Sequence, residues 1–232
     1  MSARRVLVLG ATAFPKIADI LCAFPDIVVD GLLDDDPKLE GACVGGAPVR
    51  GPLTAVHDAV FRDHALIFAI GSWRTRLVRF EILRRLAVPR ERWLSLVHPA
   101  AQVSGSAQIG DGCIVHPGAV VLPEAVIGDF VVLSPHALIG DRNHLAEGVL
   151  VGGNATTTTS VRVGPYAHLG AGSCVAERVR IGAGAQLGVG CVVLRDVPAG
   201  AFALGNPGRV MEHVTVPDTL LAMDNELNLG SV

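Results

Sequence analysis

The sequence predicts an α/β domain followed by a parallel β-helix, and three observations predict it. Residues 4 to about 97 alternate short apolar runs with helix-like stretches. From near Val97 an aliphatic residue returns at every sixth position, and a small residue follows four places after nearly every one of them. The composition agrees: of 232 residues, 50% are hydrophobic but only 4% aromatic, so the core must be built from Val, Leu, Ile and Ala.

In the front part, RVLVLG, IVVDGLL and ALIFAIG read as buried parallel strands, and KIADILCAF and TRLVRFEILRRLAV as helices between them. That is the βαβ pattern of a small doubly wound sheet. Such sheets bind ligands beyond the carboxyl ends of their strands, which singles out Gly10 to Lys16, Asp34 to Asp36 and Gly71 to Arg76. GATAFPK is not G-x-G-x-x-G, and Pro15 has no N–H to offer a phosphate, so a NAD-type pyrophosphate cradle is not expected. Asp34, Asp35 and Asp36 stand about 24 residues beyond Gly10, where a carboxylate would accept hydrogen bonds from a ribose or base; a solvated acidic turn is the alternative. Gly71, Ser72 and Arg76 form a further candidate ligand turn.

The second part follows a period of six. Steps of six from Val103 to Val193 visit sixteen positions, and all but Thr157 are Ile, Leu or Val. The column four residues on, from Ala107 to Cys191, is nearly all small. Neither a helix nor a flat strand has this period. It is the pattern of a parallel β-helix with three hexads, eighteen residues, per coil and about five coils. Glycine often follows the aliphatic position, as in IGDG, LGAG and IGAG, where a tight corner favours a residue without Cβ. A single coil cannot stand alone, which makes self-association plausible.

The eighteen-residue coil places the two histidines of LSPHALIGDRNHL. His136 falls on an outward corner between Gly118 and Asn154, and Asn154 could orient its imidazole. His144 points out of the helix between Val126 and Arg162, beside Asn143, a polar interruption of the small column. Either is a candidate general base, since a neutral imidazole titrates near working pH; solvated surface histidines are the plain alternative. Thr157 could open a local bulge, or be a tolerated residue with its hydroxyl bonded to backbone. Asp111, Asp129 and Glu147 recur at the coil spacing as an acidic stripe facing solvent or a neighbouring chain's arginine.

Other classes are disfavoured. A net charge of −3 gives no reason to expect nucleic acid. No apolar run reaches a membrane-spanning length and the start lacks a cleavage-site pattern, so a cytoplasmic protein is expected. The five cysteines lack metal-type spacing, and Cys113 and Cys191 fall at inward positions. The spacings among His98, His116, His136, His144 and His168 lack the close pair of a three-histidine metal site, so no metal is expected. Residues 211–232 follow neither pattern.

RVLVLGATAFPK, GLLDDDPKLEG, FAIGSWRTR, VHPAAQVSGSAQIGDG and VVLRDVPAGAFALGNPGRV resemble bacterial hexapeptide-repeat acyltransferases of the sialic-acid O-acetyltransferase and nucleotide-amino-sugar N-acetyltransferase family, from residue 4 to about 210. The resemblance implies a Rossmann-like nucleotide-sugar-binding domain over 1–97, a left-handed β-helix over 98–210 and a tail over 211–232. It further implies a homotrimer with acetyl-CoA between neighbouring β-helices, and N-acetylation of a nucleotide-linked amino sugar in surface glycan synthesis. Sugar O-acetylation, or a silent nucleotide-sugar-binding trimer, are the alternatives. Residues carried over for the sugar nucleotide are Gly10, Lys16, Asp34, Asp35, Asp36, Gly71, Ser72 and Arg76. For acetyl-CoA they are Gly152 and Gly153, near which a backbone N–H would hold the oxyanion, Gly170, and Gly205, Asn206, Pro207 and Arg209 at the far end. The family's base is a β-helix histidine in a D-H-[DE]-C-V-I-G-D-F-x-H-like stretch. Matching IGD to IGD puts Pro135 at that position, with His136 one residue later and His144 at the second histidine; matching the repeats without a gap puts Asp141 there.

Overall fold

The computed structural model describes residues 3–72 and 76–229, and of 226–229 the backbone alone. In the front part, β1 (Arg4–Leu9), β2 (Ile27–Leu33), β3 (Cys43–Val44), β4 (Ala47–Gly51) and β5 (Ala65–Phe68) form one sheet in the order β3-β4-β2-β1-β5. All neighbours pair in parallel except β3, which is antiparallel to β4. Val6 to Leu9 of the central strand are fully buried on both faces, which explains the unbroken apolar run. One face packs Val6, Val8 and Ile67 against Phe14, Ile17 and Ile20, the apolar stripe of α1 (Phe14–Leu21). The other packs Leu7, Leu9 and Phe68 against Leu86 and Trp93, with Leu86 ending α2 (Arg76–Leu86).

The strands then shrink to two residues each, from β6 (Leu96–Val97) to β22 (Val192–Val193), and each pairs in parallel with the strand eighteen residues away, as in Val121↔Ile139 and Ile139↔Thr157. They stack into three sheets around an interior filled by the two columns read from the sequence, Val121 to Val193 and Cys113 to Cys191, in a single cluster. Because β6 pairs with Ile114–Val115, the coil stack begins just before residue 98. It ends in a hairpin of β23 (Ala201–Leu204) and β24 (Arg209–His213), which extends past residue 210. Residues 218–229, left without a pattern by the sequence, are helix α3 (Asp218–Leu229).

Two local readings change. Asn143 points inward and is buried; its Nδ2 donates to Thr157 Oγ1 at 2.6 Å and its Oδ1 accepts from the Val161 N–H at 2.6 Å. It therefore serves the interior, not His144. The ladder runs through Thr157 without a register shift, so no bulge opens there. The acidic stripe is met from within the chain: Arg90 bonds Asp111 at 3.1 Å and Asp129 at 2.7 Å, while Glu147 accepts from the Tyr166 hydroxyl.

The two parts are joined along one corner of the β-helix. Arg79 of α2 is fully buried and donates to Gly148 O at 3.0 Å and Phe130 O at 2.8 Å, and Arg76 donates to Gly184 O at 3.2 Å. Phe80 meets Tyr166 edge-on, with centroids 5.4 Å apart. Ile114 and Val132, which face outward from the coils, complete the apolar cluster under α1.

Candidate active site

The strand ends are where the front sheet leaves its ligand position open. Gly10 donates to Leu33 O and the Ala69 N–H to Leu9 O, both at 2.9 Å, so β1, β2 and β5 finish at one level. Gly10 has φ +104°, and a Cβ there would lie 2.6 Å from Ile70 Cγ1, so only glycine fits this turn. Beyond that level the β-helix closes over the sheet and leaves a cavity of about 540 Å³. Its front wall includes Lys16, Asp19 and Gly71; its β-helix wall includes His98, His116 and Ser134.

Those three β-helix residues occupy one column, the place just after the aliphatic residue, one coil apart. Lower on the same column the chain has Gly152, Gly170 and Gly188. Three polar residues thus replace glycine where the front sheet meets the coils. That substitution was visible in the sequence as a departure from the glycine pattern. By itself it does not mark a site, because the period alone does not say which of three faces the front sheet covers.

Burial, and then the nearby His98 and Lys16, lower the His116 imidazole below the usual histidine range, which favours the neutral ring. His98 is held differently: its Nδ1 accepts from the Ala100 N–H at 3.0 Å.

The residues expected from sequence fall in several places. Lys16 and Gly71 line the cavity, and Gly10 shapes its floor by its contact with Ile70. Asp34 accepts from the Ala11 N–H at 2.8 Å and the Asp36 N–H at 3.0 Å, tying the first two strand ends together. Asp35 accepts from the Leu53 N–H and pairs with Arg85 at 2.6 Å, and Asp36 accepts from the Lys38 N–H, so all three carboxylates order turns. Ser72 is exposed, and the three residues after it lie outside the described residues. Arg76, grouped by sequence with Gly71, instead lines a second cavity of about 800 Å³ with His168, Gly170, Gln186, Phe202 and Glu212.

His136 sits exposed on its corner with φ +60°, its ring over Gly118, while its neighbour Pro135 lines the first cavity. Among the described residues no hydrogen bond joins it to Asn154, which is also exposed. His144 lies on another face, paired in register with Val126 and Arg162; burial, then the Arg162 charge, lowers its pKa. The structure therefore does not bring His136 and His144 into one site within a single chain. Asp141 accepts from Thr159 Oγ1 at 2.7 Å and meets Arg142 at 2.6 Å, and the Thr159 hydroxyl chiefly holds its carboxyl below the usual range.

The Gly152 and Gly170 N–H groups are committed to ladder bonds with Leu169 O and Leu187 O. Gly153, beside Gly152, accepts from the Gly172 N–H through its carbonyl. Gly205, Asn206, Pro207 and Arg209 lie at the far end, in and after the turn of the closing hairpin. Among the described residues no group of three or more His, Cys, Asp or Glu could hold a metal ion, and no helix is long and apolar enough to cross a membrane.

No protein-family model matches the chain, and no curated protein matches its sequence. Solved structures do. A perosamine N-acetyltransferase from Caulobacter crescentus, in complex with CoA and GDP-perosamine and with one histidine mutated to asparagine, is 29% identical with a TM-score of 0.79, over 89% of this chain and 96% of that one. The acetyltransferase domain of PglB from Neisseria gonorrhoeae FA1090, in complex with acetyl coenzyme A, is 28% identical with a TM-score of 0.78, over 90% of this chain and all of that one. WeeI from Acinetobacter baumannii AYE shares the fold at 23% identity and a TM-score of 0.76.

Proposed function

We propose that this chain is an acetyl-CoA-dependent N-acetyltransferase acting on a nucleotide-linked amino sugar. The observation that carries the reading is the extent of the likeness: it spans sheet and coils together, 89% of the chain, to a protein solved with both CoA and GDP-perosamine. The cavity between sheet and coils supports it, since it lies at the carboxyl ends of parallel strands, where small ligands bind in such sheets.

In this reading residues 1–97 are a Rossmann-like domain for the sugar nucleotide and 98–210 a left-handed β-helix for acyl transfer, with 211–232 as a tail. Gly10, Lys16, Asp34, Asp35, Asp36, Gly71, Ser72 and Arg76 are the proposed sugar-nucleotide residues, with Lys16 and Gly71 at the cavity itself. Acetyl-CoA is the second substrate, its far end near Gly205, Asn206, Pro207 and Arg209, in a groove between neighbouring coils of a cytoplasmic homotrimer. The amine nitrogen attacks the thioester carbon, a C–N bond forms, the C–S bond breaks, and CoA leaves as the thiol. The product would serve surface glycan synthesis.

The test is thiol release from acetyl-CoA with UDP-, dTDP- and GDP-linked amino sugars, each beside its hydroxyl counterpart, with product analysis by mass spectrometry. Turnover of an amino sugar alone supports N-acetylation. Turnover of the hydroxyl sugar would make the chain an O-acetyltransferase, and binding without turnover would leave a silent sugar-nucleotide module.

A further inference from the structure

We propose that His116 is the catalytic base of this acetyl transfer, taking the proton from the sugar amine inside the cavity between the sheet and the first coils. The proposal rests on the N-acetyltransferase reading and deepens it, because sequence comparison pointed to other residues for that role.

Within a single chain, geometry separates the candidates. A base has to reach the reacting amine, within hydrogen-bond distance or through one water. Of the histidines facing the coils, His116 and His98 stand in the cavity at the strand ends. His144 is on another face, His136 is on an exposed corner, and His168 lines the separate cavity with Arg76. Asp141 already accepts from Thr159 and pairs with Arg142. Between the two cavity histidines, His98 commits Nδ1 to the Ala100 N–H, whereas among the described residues the His116 ring makes no hydrogen bond. His116 is half-buried, and the cavity it lines is otherwise walled in part by apolar Ile114 and Val132 of the coils and Ile17 and Ile20 of α1.

The groups facing His116 suit the task. Lys16 and Asp19 come from α1 and His98 from the preceding coil, with Ser134 from the next. Burial first, and then the nearby His98 and Lys16, hold its imidazole below the usual histidine range, which favours the neutral ring that can accept a proton. In the step itself the amine nitrogen bonds to the thioester carbon and its proton passes to the imidazole. As the C–S bond breaks, the imidazolium gives that proton to the departing sulfur. Sugar amine and acetyl-CoA become sugar acetamide and CoA thiol, and His116 returns to its starting form.

The experiment measures kcat, KM and the pH–rate profile of wild type, His116→Gln and His116→Ala with the amino sugar the panel identifies, after a thermal melt shows both variants folded. The expected result is a kcat lowered about 10²-fold or more with KM changed little. The acid-side limb of the wild-type kcat profile should be missing in His116→Gln, and added imidazole should restore part of the His116→Ala rate. A His116→Gln enzyme with near-wild-type kcat and an unchanged acid limb overturns the proposal while leaving the acetyltransferase reading intact. A wild type that turns over no sugar in the panel overturns both. If His116→Gln or His116→Ala does not fold, His116→Asn takes its place in the same measurements.

Discussion

Asn143 and Thr157 are polar residues inside a tube of aliphatic and small side chains, and they stay there because they satisfy each other. Asn143→Ala would strip the Val161 N–H of its acceptor and Thr157 of its nearest partner, costing about 1–3 kcal/mol for each group left unpaired. Adding Thr157→Val should cost less than the sum of the two single changes; denaturant unfolding of all four proteins in a double-mutant cycle checks this, and strict additivity would refute the coupling. His168 gives a pH signature of its own. Its Nδ1 is buried with no hydrogen-bond partner among the described residues, and burial, then the Arg76 charge, pushes its pKa down to about 4 from 6.5. A folded value below the unfolded one means that the unfolded chain alone binds the proton between those pH values. Stability should therefore be indifferent to His168 above about pH 6.5, fall as pH drops towards about 4, and level off below it. Melting wild type and His168→Gln between pH 7 and 4.5 reads the difference; equal losses in both would sink the assignment. Single residues of this kind were only half legible. The sequence marked Asn143 and Thr157 as exceptions to their columns but not as partners, since they are fourteen residues apart and meet only when the coils stack. His116 was harder still, because its role depends on which face the front domain covers.

Elements were more legible than residues, for a physical reason. A β-helix coil buries a fixed pattern of side chains, so its period is imposed on the sequence at every turn, and the strands β6 to β22 followed from it. The closing helix α3 follows no such repeat, and the docking of α2 depends on carbonyls that no side-chain pattern records. That docking rests on Arg79, whose guanidinium is fully buried against Gly148 O and Phe130 O and lies over the Phe68 ring. Burial lowers its pKa to about 10, still far above neutrality, so it stays charged. Arg79→Ala leaves two carbonyls unpaired and a void where the side chain stood. The expected cost is about 1–3 kcal/mol per lost partner, with the front sheet loosened from the coils. Limited proteolysis should then cut preferentially between the two parts. A variant that melts within a degree or two of wild type, with an unchanged digestion pattern, would show that the apolar contacts alone hold α2.

At the scale of the whole molecule the three outer faces of the coil stack differ in what covers them. One carries the front domain. A second presents Gln108, Val126, His144, Arg162 and Arg180, largely polar and suited to water. The third presents Val120, Leu138, Thr156, Cys174 and Val192, half-buried side chains that lie outside all four hydrophobic clusters. A mostly apolar stripe along a stack of coils is the kind of surface that association with another protein would cover. The proposed trimer would bury it, and light scattering should then give about three times the chain mass of 24.1 kDa. Leu138→Glu places an unpaired carboxylate in the middle of the stripe, where burial is costly, and should shift the mass to a single chain that keeps the far-UV circular dichroism of the coils. Because the acetyl-CoA groove is proposed to lie between neighbouring coil stacks, the same variant should lose acetyl transfer while the front domain still binds the sugar nucleotide. A wild type that scatters as one chain would remove both the trimer and the groove between subunits. A Leu138→Glu protein that is monomeric yet fully active would instead keep the trimer and place the whole acetyl-transfer site within one chain.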